Sequence, residues 1–422
     1  MLDTTFNKQS CQERDSFLEQ IMQLPVLDTH THLVGERLCA RNFWEIADYF
    51  WLNRELQTGG YPAKASELPE EERINAFLEA YHGTRNTLMN IVFTQMMQEL
   101  FGVEITDAAS IRRADALVQS ACQTPSRAQD IADRLNVKRF VVNYAEHADF
   151  QGTRERAILM PRIDGKLGGW VNELVASAHP MKRLQELALV IEELLGGYQA
   201  QGCPGVMTTL PRYESSANRR VQLAPGCSKD DALMELLHAV GAAAEKHGLL
   251  VQFFLGVERS WCGEAFPAND PARVLKLTAL FETYACPFEL VVASELNNLD
   301  VVQAAWNFPN VSVGGMWWFN FRASTYRDSM QYRIEAISAM KSSLVVSDAR
   351  CMEWSYGKIW VIKKLLGQFL WDQLAAGWID RDVALQVAED WLYRSSAKRY
   401  GLLSSNRTPQ SAVAIIKKHS FG

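Results

Sequence analysis

The chain has 422 residues, a formal net charge of −6, 48% hydrophobic and 22% charged side chains, an ordinary globular composition. No apolar run approaches the roughly 20 residues a membrane helix needs, and an acidic chain without a long basic stretch lacks the footprint that neutralises nucleic-acid phosphates. The expectation is a soluble protein with a small-molecule partner and neither nucleic acid nor membrane, long enough for an α/β barrel with an insertion; a homo-oligomer is left open.

Residues 1–24 carry neither the basic flank nor the apolar centre of a secretory signal, so a cytoplasmic protein is expected. The eight cysteines are scattered, with no Cys-x-x-Cys pair, and read as reduced thiols.

The first predicted strand, 25–33, contains Asp28-Thr29-His30-Thr31-His32-Leu33. Residues two apart in a strand share a face, so both imidazoles can reach a common ion. Neutral imidazole is a ligand for zinc and its first-row neighbours. Taken alone, the pair reads equally well as two unrelated histidines.

Roughly a hundred residues then pass before the next strand signal, far more than a βα connection needs. The interval reads as helices broken at Gly59-Gly60-Tyr61-Pro62 and at Pro69. This divides the chain into an N-terminal helix with the first strand (1–33), a mainly helical insertion over the barrel mouth (34–130), and the rest of the barrel with C-terminal helices (131–422).

Seven further β-rich apolar runs follow, at 138–144, 156–163, 205–210, 249–256, 288–294, 311–319 and 342–350. Several are continuously apolar, as parallel strands buried on both faces are. Helical patterns at 181–198, 230–248 and 270–285 alternate with them. The second ends in Lys246-His247-Gly248, a basic last turn with a glycine stop; the third opens on Asp270-Pro271, an N-cap followed by proline. Two or three helices are expected over 354–400. Eight βα repeats predict a distorted (β/α)8 TIM-type barrel. No G-x-G-x-x-G follows a strand to favour an open doubly wound sheet.

In a closed barrel the first and eighth strands are neighbours. The eighth ends in Ser347-Asp348-Ala349-Arg350, which brings Asp348 opposite His30 and His32. There Asp348 can complete a mononuclear metal site or act as a base beside it, and Arg350 supplies a fixed positive charge for an oxyanion. Without the histidines the same tripeptide reads as a surface loop with a weak ion pair. Strands four, five and six contain no histidine and strand four no lysine, so a binuclear hydrolase lacks its ligands. Of the remaining histidines, His247 reads as a helix-end cation, His238 as a core or surface residue of a helix, and His147 approaches the mouth from the loop after strand two. Arg162 ends strand three with a fork suited to a carboxylate. Trp317 and Trp318 end strand seven, as a sugar-binding wall or as core.

These segments, in this order, resemble the uronate isomerases, the glucuronate isomerase branch of the amidohydrolase superfamily: Asp-x-His-x-His-Leu, Arg162-Ile163-Asp164, Gly-x-Trp-Trp-Phe and Ser347-Asp348-Ala349-Arg350. The resemblance implies one divalent metal, often zinc, and interconversion of a hexuronate with its keto form, such as D-glucuronate with D-fructuronate. It also implies that His30, His32 and Asp348 bind metal, that Asp348 moves the proton at C2, that Arg350 stabilises the enediolate, and that Arg162 takes the substrate carboxylate. The pattern departs just after the first strand, where the family's His-Tyr pair is replaced by Asp48-Tyr49-Phe50-Trp51; Tyr49 is the candidate active-site replacement, with Arg54 behind it. Two other readings stand beside this one: a mononuclear metal-dependent hydrolase of a lactone, amide or ester, and a catalytically silent barrel that binds a sugar acid.

Overall fold

The computed structural model describes residues 4–144, 148–259, 265–267, 270, 272–295 and 297–403. Seven parallel strands form two arcs. β1 (Val26–Thr31), β2 (Val137–Val142) and β3 (Ala157–Leu159) make one; β4 (Gly205–Thr209), β5 (Leu250–Leu255), β6 (Phe288–Val292) and β7 (Val311–Met316) make the other. Every residue of β1, β5, β6 and β7 is buried, which explains their near-continuous apolar runs.

Backbone hydrogen bonds join the arcs at both seams. Between β3 and β4, Ile163 N–H donates to the Met207 carbonyl at 3.0 Å and Met207 N–H to that of Pro161 at 3.0 Å. At the other seam the extended segment 342–349 lies between β7 and β1: Ser343 N–H donates to Val313 O (2.9 Å), Thr29 N–H to Val345 O (3.0 Å) and His32 N–H to Ala349 O (2.8 Å). The ring of eight is thereby closed.

The predicted eighth strand is thus an extended segment rather than a regular strand, and its chemistry shows why. The fully buried Arg333 guanidinium inserts at this seam, donating to Ser343 O at 2.7 Å and Gly314 O at 2.9 Å, where ladder bonds would otherwise run. Gly315 permits the approach, since a Cβ there would lie 2.6 Å from the Leu344 carbonyl oxygen.

Outside the ring, Pro180–Ala200 packs with Lys229–His247, which is N-capped by Ser228 and ends on left-handed Gly248 as the glycine stop requires. The helix expected from Asp270 begins only at Thr278, after a tight turn at Leu275–Leu277. The cause is Arg273, fully buried, whose guanidinium reaches back to the carbonyls of Leu210 and Pro211 at 3.0 Å each and holds the preceding residues in a turn. Pro271 lies outside the described residues.

Between β1 and β2 the chain forms the helices Phe43–Ala47, Phe50–Thr58, Glu70–Gly83, Leu88–Phe101, Ala108–Cys122 and Arg127–Arg134. Glu55, buried on the second of these, accepts from the amides of Met89 (2.8 Å) and Asn90 (3.3 Å), placing its charge at the start of Leu88–Phe101. This fixes the helix that carries Phe50, Trp51 and Arg54 toward the barrel. The long helix Met352–Ala375 sits against the N-terminal helix Thr4–Gln23, and its buried Lys363 ties the carbonyls of Met22, Leu24 and Leu135. The last described elements are Arg381–Glu389, a π-turn over Asp390–Arg394 and Ser395–Arg399. The cysteines whose side chains are described are free thiols. Among the described residues no helix is long and apolar enough to cross a membrane.

Candidate metal centre and substrate cleft

Strand alternation in β1 sorts its side chains. Thr29 and Thr31 point outward and donate their hydroxyls to Val345 O and Val141 O, both at 2.7 Å. Asp28, His30 and His32 occupy the other face. Asp28 is fully buried and accepts from the Ser347 amide at 2.9 Å; burial pushes its carboxyl up to about 6, against the bonds from Ser347.

Asp348 meets the two histidines from across the seam. Its Oδ1 lies 3.4 Å from His30 Nε2 and 3.0 Å from His32 Nε2, and the three ligand atoms fall within 4.8 Å of one another. His30 is 2% exposed and His32 31%, so one imidazole is sealed in the barrel and the other faces the cleft. Burial pushes His30 down to about 4, with Asp348 opposing. Burial would raise the Asp348 carboxyl too, but the bonds from His30 and His32 hold it well below the usual range.

Asp348 adopts the left-handed conformation, φ +52°, a state that costs a non-glycine residue on the order of 1–3 kcal/mol and persists only where its surroundings impose it. Here its amide donates to His30 O (3.0 Å), its carbonyl accepts from the Tyr49 hydroxyl (3.0 Å), and its Oδ2 accepts from Trp51 Nε1 (3.2 Å).

Two imidazole nitrogens and one carboxylate oxygen suit a divalent first-row ion with positions left for other ligands. The surroundings fit such an ion. Asn143, at the end of β2, lies 2.9 Å from His32 Nδ1 and orients that ring, as outer-sphere partners of metal-binding histidines do. His30 Nδ1 is buried without a hydrogen-bond partner among the described residues, and its ring packs on Phe254 at 4.5 Å.

A cleft of about 930 Å³ opens beside this set, lined by His32, Arg162, Trp317, Trp318, Asp348 and Arg350 among others. Arg162 forms a two-bond pair with Asp164, at 2.6 and 3.0 Å. Arg350 is exposed at the rim and makes no hydrogen bond or ion pair among the described residues. Trp317 stacks edge-on against Phe254 at 4.9 Å, its Nε1 buried without a partner among the described residues; Trp318, also at φ +52°, packs between Phe50 (5.2 Å) and Trp51 (6.0 Å). Both indoles are half core and half wall.

Tyr49 stacks on Trp354 at 4.4 Å, and its hydroxyl is engaged by Lys358 Nζ (2.7 Å) as well as by Asp348 O. Phe50 and Arg54, paired at 4.8 Å, face the cleft beside it, and Asp48 pairs with Arg73. His238 is a core residue, bonded to Tyr284 Oη and Ala217 O. His147 lies outside the described residues. Sequence reasoning missed Asn143, Trp51 and Lys358. Asn143 ends a barrel strand, a signal of the kind used for Arg162; the other two carry none.

A cavity of similar size beside the N-terminal helix, lined by Glu19, Gln20, Gln386 and Arg394, holds no histidine and no aromatic wall. It is a groove between helices.

No protein-family model matches the sequence, and no curated protein matches it. Solved structures do. A uronate isomerase from Bacillus halodurans matches with a TM-score of 0.73 at 17% identity, covering 93% of this chain and 97% of that one. A glucuronate isomerase from Caulobacter crescentus gives 0.75 at 15% identity, covering 95% of each. A protein described as a metal-dependent hydrolase from Lactobacillus casei gives 0.58 at 14%, covering 91% and 97%. At such identities the likeness speaks to architecture, and the chain has the fold of the uronate isomerases, a TIM-type barrel.

Proposed function

We propose that the protein is an aldose–ketose isomerase that interconverts a hexuronate, of the D-glucuronate or D-galacturonate type, with its keto form. The observation that carries this reading is the convergence of Asp348 with His30 and His32 at the mouth of a uronate isomerase fold, in a cleft that also presents Arg162 and Arg350.

The reaction moves one proton between C2 and C1 and a second between the O2 and O1 oxygens through a cis-enediol, and needs a base and stabilisation of the oxygens. Asp348 is that base in our reading. Its Oδ1 faces the imidazoles, and its Oδ2, steadied by Trp51, takes the C2 proton and returns it at C1. Arg350, uncommitted at the rim, lies against the developing enediolate charge. Arg162 exchanges Asp164 for the substrate carboxylate, one bidentate pair for another. Trp317 and Trp318 pack against the sugar ring. Residues 34–130 contribute the wall that carries Phe50 and Arg54. Tyr49 holds the Asp348 carbonyl rather than the substrate. A divalent ion bound by His30, His32 and Asp348, zinc in this reading, supplies Lewis-acid polarisation of substrate oxygens. The free thiols suit the reducing cytoplasm.

Incubation of metal-loaded protein with a panel of hexuronates tests the proposal. Ketose formation from at least one is expected, and none from any, with one metal bound per chain, overturns it. A hydrolase is the second reading, favoured by the likeness to the Lactobacillus casei protein. Hydrolysis incorporates solvent oxygen-18 into product, whereas isomerisation transfers a hydrogen at carbon.

A further inference from the structure

The contacts that hold Asp348 from the insertion converge on one side-chain nitrogen. Lys358 is fully buried on the helix Met352–Ala375. Its Nζ donates to the Ser347 carbonyl at 2.5 Å and to the Tyr49 hydroxyl at 2.7 Å, and that hydroxyl donates onward to the Asp348 carbonyl at 3.0 Å. The same Nζ lies 4.3 Å from the centroid of Trp51, whose Nε1 holds Asp348 Oδ2, and 5.0 and 5.1 Å from the rings of Tyr49 and Phe321. An ammonium over three aromatic faces with two oxygen acceptors is a built site.

From this geometry we propose that Lys358 is a positioning residue. By gripping the Ser347 peptide directly and the Asp348 peptide through Tyr49, it locks Asp348 in its left-handed conformation and so sets the affinity and symmetry of the site formed with His30 and His32. This rests on the reading of Asp348 as a metal ligand. The Asp28 carboxyl accepts from the Ser347 amide, so that residue is held at its N–H as well as at its carbonyl. Without Lys358 the carbonyl end is released, φ relaxes toward negative values, and the carboxylate swings off the histidines.

The test is titration of the metal-free protein with Zn2+ and, separately, the visible spectrum of the Co2+ form, neither of which requires a sugar. Lys358→Met, which keeps the aliphatic stem, is expected to weaken Zn2+ binding by about 10–100-fold, the range for outer-sphere partners of metal ligands, and to shift the Co2+ spectrum. Tyr49→Phe, which keeps the stacked ring, is expected to weaken it by about 10-fold at most. Because the two act in series, the double variant is expected to bind no more weakly than Lys358→Met alone. Lys358→Arg restores part of the loss. If Lys358→Met does not fold, Tyr49→Phe decides by the same readouts. Unchanged Zn2+ affinity and Co2+ spectrum in the variants, or strictly additive effects, overturn the proposal. If the wild type itself binds no stoichiometric metal, it is the underlying reading of the site that fails, and the proposal with it.

Discussion

β1 and the segment 342–349 lie side by side and share the candidate metal centre, yet they are built in opposite ways. β1 is a regular strand with all six residues buried, and its outward threonines bond to both neighbours. The segment 342–349 makes scattered ladder bonds, has its Ser343 carbonyl taken by Arg333 and its Ser347 carbonyl by Lys358, and turns through a left-handed Asp348. The histidines thus come from a frame that secondary structure makes rigid. The carboxylate comes from a frame that distant side chains make rigid, which allows an orientation no regular strand offers.

The sharpest way to break this comparison is chemical. Asp348→Asn keeps the shape of the turn but loses the base, and isomerase activity is expected to fall about a thousandfold, within the range for general acid–base groups, with the circular dichroism unchanged. Retained activity assigns the proton transfer elsewhere.

A second prediction addresses the tertiary brace. Arg333→Met leaves the carbonyls of Ser343 and Gly314 buried without a donor and is expected to cost about 3 kcal/mol in urea unfolding. Thr31→Val on β1 removes the bond to the Val141 carbonyl and the longer one accepted from the Leu33 amide (3.3 Å) in a strand its backbone already holds, and is expected to cost only about 1.5 kcal/mol. Equal losses remove the distinction between the two frames.

The buried His30 gives β1 a pH signature. Burial lowers its imidazole from 6.5 to about 4, so as pH falls the unfolded chain takes up the proton first. Stability that is complete above pH 6.5 is lost between 6.5 and 4, by about 3 kcal/mol at 1.36 kcal/mol per unit. Asp28, raised to about 6, acts in the opposite sense over part of this range. The difference in metal-free unfolding between wild type and His30→Asn therefore isolates the histidine, and a pH-independent difference contradicts the assignment.

The smallest expected effect concerns backbone strain. Asp348→Gly relieves the left-handed cost that Asp348→Ala retains, so the glycine variant is expected to be the more stable of the two by about 1 kcal/mol while both are inactive. The reverse order shows that the turn is unstrained.

Much of this architecture was legible in the amino-acid sequence because it is local. Strands buried on both faces leave apolar runs, and Lys246-His247-Gly248 ends its helix as written. The meeting of His30, His32 and Asp348 followed from one inference, that the first and eighth strands are neighbours. What was not legible is set by tertiary contact. Arg273 bonds carbonyls more than sixty residues away and delays the helix expected at Asp270. Nothing near Tyr49 in sequence shows that its hydroxyl meets Lys358, 309 residues on. No local pattern marks Lys358 itself, since its partners lie on the insertion and on a turn before its own helix.

The central claim is that Asp348 carries one proton between C2 and C1 of a hexuronate. Its most direct test is proton NMR of a hexuronate turned over in deuterium oxide by the metal-loaded protein. The account predicts a ketose with one hydrogen delivered to C1, deuterium to the extent that the proton held by Asp348 exchanges with solvent, formed by the wild type and not by Asp348→Asn. Ketose formed at an undiminished rate by the variant, or no ketose from any hexuronate, contradicts it.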